Sequence, residues 1–231
     1  KKKNKNMNKK SILCFGDSNT WGFVPGAFNP NTFYMERYPR DIRWPGVMEK
    51  ALGINYHVIE EGLNGRTTNV EYPDIEGRSG ISYILPCLYS HSPLDIIIIQ
   101  LGINDLKIIF DREIETITNG ISEIIDMIQA TTFGPDMQSA PQILILSPPA
   151  LAHEGYKDVD NKLIFIGGMK KSFQFHDYYS KLANDKECHY YDLSSKVEYS
   201  QIDGLHLDEK GHKRSGALIA SKIQSIFESE T

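Results

Sequence analysis

Residues 94–101 read L-D-I-I-I-I-Q-L, and the four consecutive isoleucines leave that segment without a polar face. A strand of this kind must be covered on both sides, the situation of a central strand in a parallel sheet held between helical layers. The remainder of the chain supplies the matching pieces. Residues 11–15, 56–59, 142–147 and 189–193 are short apolar runs of strand length. Helical spacing appears over 44–52, where Pro45 suits a first turn and Gly53 a stop. It appears again over 81–89, where Pro86 kinks the helix or marks its first turn, and over 169–182 and 209–228. The clearest amphipathic helix spans 113–130, with Ile114, Ile117, Ile121, Ile124, Ile125 and Ile128 at steps of three and four. Strands alternating with helices predict a doubly wound, three-layer α/β domain on a five-stranded parallel sheet.

The 231 residues can bury one substantial core, and no second domain is apparent; residues 11–231 are read as one domain. Residues 1–10 carry six lysines and a single apolar residue, Met7. They read as a disordered basic leader, or a remnant left by expression, outside the fold. The formal net charge is −5 even with those lysines counted. The folded part is therefore distinctly acidic, which argues against nucleic acid or anionic membrane as partners. No apolar run reaches membrane-spanning length. Cys14, Cys87 and Cys188 form no C-x-x-C and no even set, so neither a disulfide framework nor a zinc site is expected. A cytoplasmic setting fits best, with no metal and no cofactor.

The chemistry gathers where strands end. After the first strand, Gly16-Asp17-Ser18 turns the chain sharply and leaves a serine at the C-terminal edge of the sheet, where open α/β sheets bind ligands. Alone, Asp17 and Ser18 read equally well as turn and capping residues. Gly62–Thr68 follows the second strand, Gly102-Ile103-Asn104-Asp105 the third, and Asp203-Gly204-Leu205-His206 the fifth. Each residue type suits acyl transfer. Ser18 would attack a carbonyl, His206 would accept its proton, and Asp203 would orient the imidazole. The N–H groups of Ser18 and Gly65 and the Asn104 amide would hold the oxyanion. A lone D-x-x-H has little specificity, and Glu209 with His212 makes a rival pair expected to face solvent on the last helix. The conjunction of four blocks in order carries the reading. Between the first strand and first long helix, residues 24–40 form a long loop rich in Pro, Asn and aromatics, placed over the edge that bears Ser18.

The blocks G-D-S-N-T-W-G, G-L-N-G-R-T-T, L-G-I-N-D and D-G-L-H resemble the four signatures of the SGNH (GDSL-type) hydrolase superfamily. Its Ser, Gly, Asn and His fall on Ser18, Gly65, Asn104 and His206. Residues 43–47 (R-W-P-G-V), 146–149 (L-S-P-P) and 163–168 (L-I-F-I-G-G) are similar to the arylesterase/acyltransferase branch. The chain departs from that branch at Asn19, where an apolar residue is usual, and at Asn161, where an aromatic is common. The resemblance implies a flavodoxin-like SGNH hydrolase fold and a metal-free serine esterase. It also implies assembly into homo-oligomers whose long loops shape a hydrophobic channel. Trp21, Phe23, Ile103, Lys107, Phe165 and Leu205 would line or border the acyl and alcohol pockets.

The expected function is hydrolysis of small acyl or aryl esters, with acyl transfer to alcohols where water is excluded. A carbohydrate acetylesterase is the nearest alternative, since Phe28, Phe33, Tyr34 and Tyr38 could stack on sugar rings. A binding module that cradles phosphate on residues 16–20 would leave the Asn104 and His206 blocks unused. A metal hydrolase built on His206, Asp208 and His212 lacks an established ligand pattern.

Overall fold

A computed structural model of the chain describes residues 9–229. Five strands, β1 (Lys10–Gly16), β2 (Tyr56–Gly62), β3 (Ile96–Gln100), β4 (Gln142–Ser147) and β5 (His189–Asp192), form one parallel sheet in the order β2-β1-β3-β4-β5. The isoleucine run is β3, and all five of its residues are buried. Ile12 pairs with Ile96 on one side and Val58 on the other, which fixes the register of the three strands nearest the site.

Seven helices connect the strands: α1 (Ser18–Trp21), α2 (Trp44–Leu52), α3 (Gly80–His91), α4 (Ile114–Gln129), α5 (Gly168–Ser172), α6 (Phe175–Asp185) and α7 (Glu209–Glu228). Helices α2 and α7 pack against each other, while α3, α4 and α6 form a neighbouring row, giving three layers. The six isoleucines of α4 are at most 1% exposed, as their spacing predicts. The chain moves from β1 outward to β2, then crosses back to β3. This reversal makes the β1/β3 edge the switch point at which such sheets hold ligands.

The structure departs from the sequence reading at several elements. The first strand begins at Lys10, whose ammonium meets Asp95 at 3.3 Å, while residues 1–8 of the expected leader lie outside the described residues. Strand β2 runs on to Gly62 because ion pairs satisfy its late acidic residues: Glu60 meets Arg40 at 2.6 Å and Arg43 at 2.8 Å. Pro86 lies inside α3, beyond its first turn. The helix expected over 169–182 is two helices, α5 and α6. The Ser172 hydroxyl at the end of α5 accepts the Leu151 N–H, which ties that turn to the chain leaving β4. Among the described residues, no helix is long and apolar enough to cross a membrane.

Candidate active site

Strand β1 ends at Gly16, and Asp17 caps the four-residue helix α1, its carboxylate accepting the Asn19 N–H at 2.9 Å. The capping reading of Asp17 is therefore correct, and it is what presents the next residue, Ser18, at the sheet edge. Burial, only partly opposed by the Asn19 N–H and the Arg66 charge, pushes the Asp17 carboxyl up to about 7. The N–H groups of Asn19, Thr20 and Trp21 all bond back to Asp17. The turn therefore does not offer these groups to an external phosphate, which removes the main support for a phosphate-binding loop.

Ser18 Oγ lies 2.9 Å from His206 Nε2, and His206 Nδ1 lies 2.7 Å from Asp203 Oδ2. An ionised carboxylate can only accept, so Nδ1 carries a proton and Nε2 is left to accept from the serine hydroxyl. All three side chains are buried. Burial by itself would raise the Asp203 carboxyl. The His206 ring and the N–H groups of Leu205 and His206 outweigh it and hold the group below its ordinary value. A further N–H, from Gly26 in the long loop, reaches Asp203 at 3.2 Å. The imidazole is held between rings: Phe23 stacks on it with centroids 4.3 Å apart, and Tyr156 meets it edge-on at 5.8 Å.

Asn19 shows what its departure from the usual apolar residue does. Its amide donates to the Leu205 carbonyl at 3.1 Å, and its oxygen accepts the Leu207 N–H at 2.9 Å. It thus grips the backbone on both sides of His206 and lines no part of the cavity. Asn161 sits in an exposed turn with φ 61, a left-handed conformation that asparagine tolerates better than an aromatic residue.

A cavity of about 280 Å³ opens over Ser18 and His206, bordered by Gly65 and Asn104. The Asn104 amide is anchored by donating to the Arg66 carbonyl at 3.2 Å. Gly65 has φ +78, a left-handed conformation that favours glycine, and a Cβ there would displace the end of the Arg78 side chain, 2.9 Å away. Phe23, Lys107 and Leu205 line the cavity as expected. Three expected lining residues do not. Ile103 and Phe165 are fully buried, Phe165 bordering the cavity through its contacts with Tyr156 and Lys107, and Trp21 carries the Arg37 guanidinium 4.8 Å over its ring. Sequence reasoning missed Tyr156, Arg78, Met35, Ile75 and Val159, which also line it. They come from loops with no motif; the long aromatic loop was the one available signal, and its Phe28 and Phe33 do reach the cavity.

His212 is the clearest correction. It is buried rather than solvent-facing and makes no pair with Glu209. Its Nδ1 accepts the Trp44 N–H at 3.2 Å. Trp44 opens α2, whose N-cap residue Arg43 gives no side-chain cap, so His212 satisfies a helix-end donor that would otherwise be unpaired. Burial first, with the charges of His206 and Arg43, lowers its imidazole to about 3. Asp208 caps α7 by accepting the Gly211 N–H at 2.8 Å. His206, Asp208 and His212 thus serve three separate purposes and do not assemble a metal site.

Comparison with known proteins gives the family. The model of the GDSL-like Lipase/Acylhydrolase family matches residues 14–214. The structure of the native M. smegmatis aryl esterase is 37% identical, with a TM-score of 0.86, covering 94% of this chain and 99% of that one. Est24, a carbohydrate acetylesterase from Sinorhizobium meliloti, is 36% identical with a TM-score of 0.86, covering 94% and 100%. A carbohydrate acetylesterase family member from the same organism is 32% identical with a TM-score of 0.82, covering 94% and 98%. Comparison with curated protein sequences gives no match. On the family match and the esterase structures that share its fold, this chain belongs to the GDSL-like lipase/acylhydrolase family of SGNH hydrolases and is a carboxylic ester hydrolase.

Proposed function

We propose that the chain hydrolyses small acyl or aryl esters through a covalent acyl-enzyme on Ser18. The observation that carries this reading is the chain of two short hydrogen bonds from Ser18 through His206 to Asp203, 2.9 and 2.7 Å, at the floor of a cavity. His206 Nε2 takes the hydroxyl proton as Ser18 Oγ bonds to the ester carbonyl carbon, and Asp203 stabilises the imidazolium. The tetrahedral oxyanion is held by the N–H groups of Ser18 and Gly65 and by the Asn104 amide. His206 then returns the proton to the departing alcohol, and water, activated by the same imidazole, releases the acid. Phe23, Lys107 and Leu205 contact substrate. Apolar walls from Phe23, Phe28, Phe33, Ile75 and Leu205 favour an alcohol over water in the second step, which supports acyl transfer as a side activity.

A carbohydrate acetylesterase is the second reading. It is favoured by the aromatic rings on the cavity wall and by the likeness to Est24. Hydrolysis of p-nitrophenyl esters from acetate to octanoate, measured beside an acetylated xylo-oligosaccharide, separates the two. Fast acetate or butyrate cleavage that vanishes in Ser18→Ala, with sugar acetates untouched, supports the first; preference for the sugar supports the second. Activity that survives Ser18→Ala would contradict both.

Homo-oligomer formation belongs to the same reading. Ile108, Ile109 and Leu163 are exposed along a cleft of about 510 Å³ next to the cavity, an apolar surface suited to a second copy. Light scattering after size exclusion tests it, and a monomer at micromolar concentration would refute it.

A further inference from the structure

The cavity beside Ser18 is largely apolar, yet two cations reach it without a carboxylate of their own. Lys107 and Arg78 both line it. Among the described residues, neither takes part in a salt bridge; their contacts converge on one phenol instead. Lys107 Nζ donates to Tyr72 Oη at 2.9 Å and lies 4.9 Å from its ring centre, and the Arg78 guanidinium lies 5.6 Å from the same ring. The Tyr72 hydroxyl donates onward to the Gly65 carbonyl at 2.8 Å. The pair of cations is thereby fixed against the loop that borders Ser18.

The acidic groups nearest in effect are already committed. Asp105 is held by Arg112 at 2.6 Å and by Thr68, and Asp17 is the buried cap of α1. Burial first, and the Arg78 charge second, lower the Lys107 ammonium to about 8, with Asp17 and Asp105 only partly opposing. Two like charges that meet the same ring at one cavity repel each other, and an anion bound in that cavity would relieve the repulsion. Arginine offers a planar fork and lysine a point charge, a combination suited to a carboxylate. Apolar surroundings strengthen such contacts relative to water.

Building on the esterase reading, we propose that Arg78 and Lys107 form an anion subsite that selects esters carrying a carboxylate away from the scissile bond. A neutral ester of the same shape leaves both cations unmatched. The carboxylate can sit on the alcohol or the acyl part, and the two cases separate experimentally.

The test compares each charged ester with its uncharged methyl ester: 4-acetoxybenzoate with methyl 4-acetoxybenzoate for the alcohol side, and mono-4-nitrophenyl adipate with its methyl diester for the acyl side. The expected result is a preference for the charged member in one arm of ~10-fold in kcat/KM. That ratio should fall close to one in Arg78→Met and in Lys107→Met, be partly retained in Arg78→Lys, and shrink in 1 M salt, about a 3 Å screening length. A wild-type ratio at or below one in both arms, or a ratio unchanged by the variants, overturns the proposal. Failure of the wild type to cleave either methyl ester would instead count against the esterase reading. Calorimetric binding to Ser18→Ala of the charged ester from whichever arm shows the preference then reads the subsite without turnover. Weakening of that binding by ~10-fold on adding Arg78→Met supports the subsite; absent or unchanged binding overturns it.

Discussion

Two histidines six positions apart, both buried, are put to opposite uses. His206 sits on the loop after β5 with a hydroxyl on one ring nitrogen and a carboxylate on the other. His212 sits one turn into α7 with a backbone N–H on one nitrogen and, among the described residues, no hydrogen-bond partner on the other. Both are buried, so the difference in use follows from the partners each ring has. Beside Asp203 an imidazole can gain a proton during a reaction, because the new charge is matched where it forms. In its apolar seat between α2 and α7, beside the Arg43 and His206 charges, His212 is held neutral and works only as an acceptor.

The comparison is broken most directly by deletion. Ser18→Ala or His206→Ala should lower kcat on the order of 10⁴-fold or more, whereas His212→Ala should leave kcat/KM per folded molecule within about 2-fold. Steady-state kinetics on a p-nitrophenyl ester measures both, and equal losses in the two histidine variants would erase the distinction. Next in size, Asn104→Ala should lower kcat by roughly 10²- to 10³-fold with little change in KM, as for any donor that acts mainly on the developing oxyanion. A rise in KM at constant kcat would make Asn104 a substrate-binding group instead.

His212→Ala should appear in stability, with a loss of about 1–3 kcal/mol from an unpaired N–H at the start of α2 and a small cavity. Denaturant unfolding reads it. The same residue gives a pH signature whose sign follows from its lowered folded-state value. Its contribution is intact above its ordinary 6.5 and is lost as pH falls toward about 3, by up to about 1.4 kcal/mol per pH unit. The Tm of the wild type should therefore fall more steeply below pH 6.5 than that of His212→Gln; parallel curves would contradict the assignment. The smallest effect concerns the clamp on the His206 loop. Asn19→Leu removes two hydrogen bonds and should lower kcat about 10-fold or less. An effect on acyl-chain preference alone would place that side chain in the substrate pocket.

The sheet was readable because its strongest signals are one-dimensional. Four isoleucines in a row and six more at helical steps leave β3 and α4 little choice. The Ser18, Gly65, Asn104 and His206 blocks were equally readable, since each follows a strand and the parallel topology brings those ends to one edge. What escaped was set by contacts distant in sequence. Whether His212 faces solvent depends on α2 packing against α7, where a Cβ on Gly216 would come within 2.6 Å of Val47. The extension of β2 depends on Arg40 and Arg43 reaching Glu60. Arg78 and Tyr156 enter the cavity from loops whose course follows no period. Ile103 and Phe165 are fully buried, and Phe165 reaches the cavity only through its ring contacts with Tyr156 and Lys107, because a motif fixes where a residue lies along the chain but not how its side chain packs.

The most direct test of the central claim is intact-mass and peptide mass spectrometry after treatment with diethyl p-nitrophenyl phosphate, timed for the wild type, His206→Ala and His212→Ala. The account predicts one diethylphosphoryl adduct, on Ser18, formed at similar rates in the wild type and His212→Ala and at least 100-fold more slowly in His206→Ala. An adduct on another residue, or labelling of Ser18 that is indifferent to His206, would contradict it.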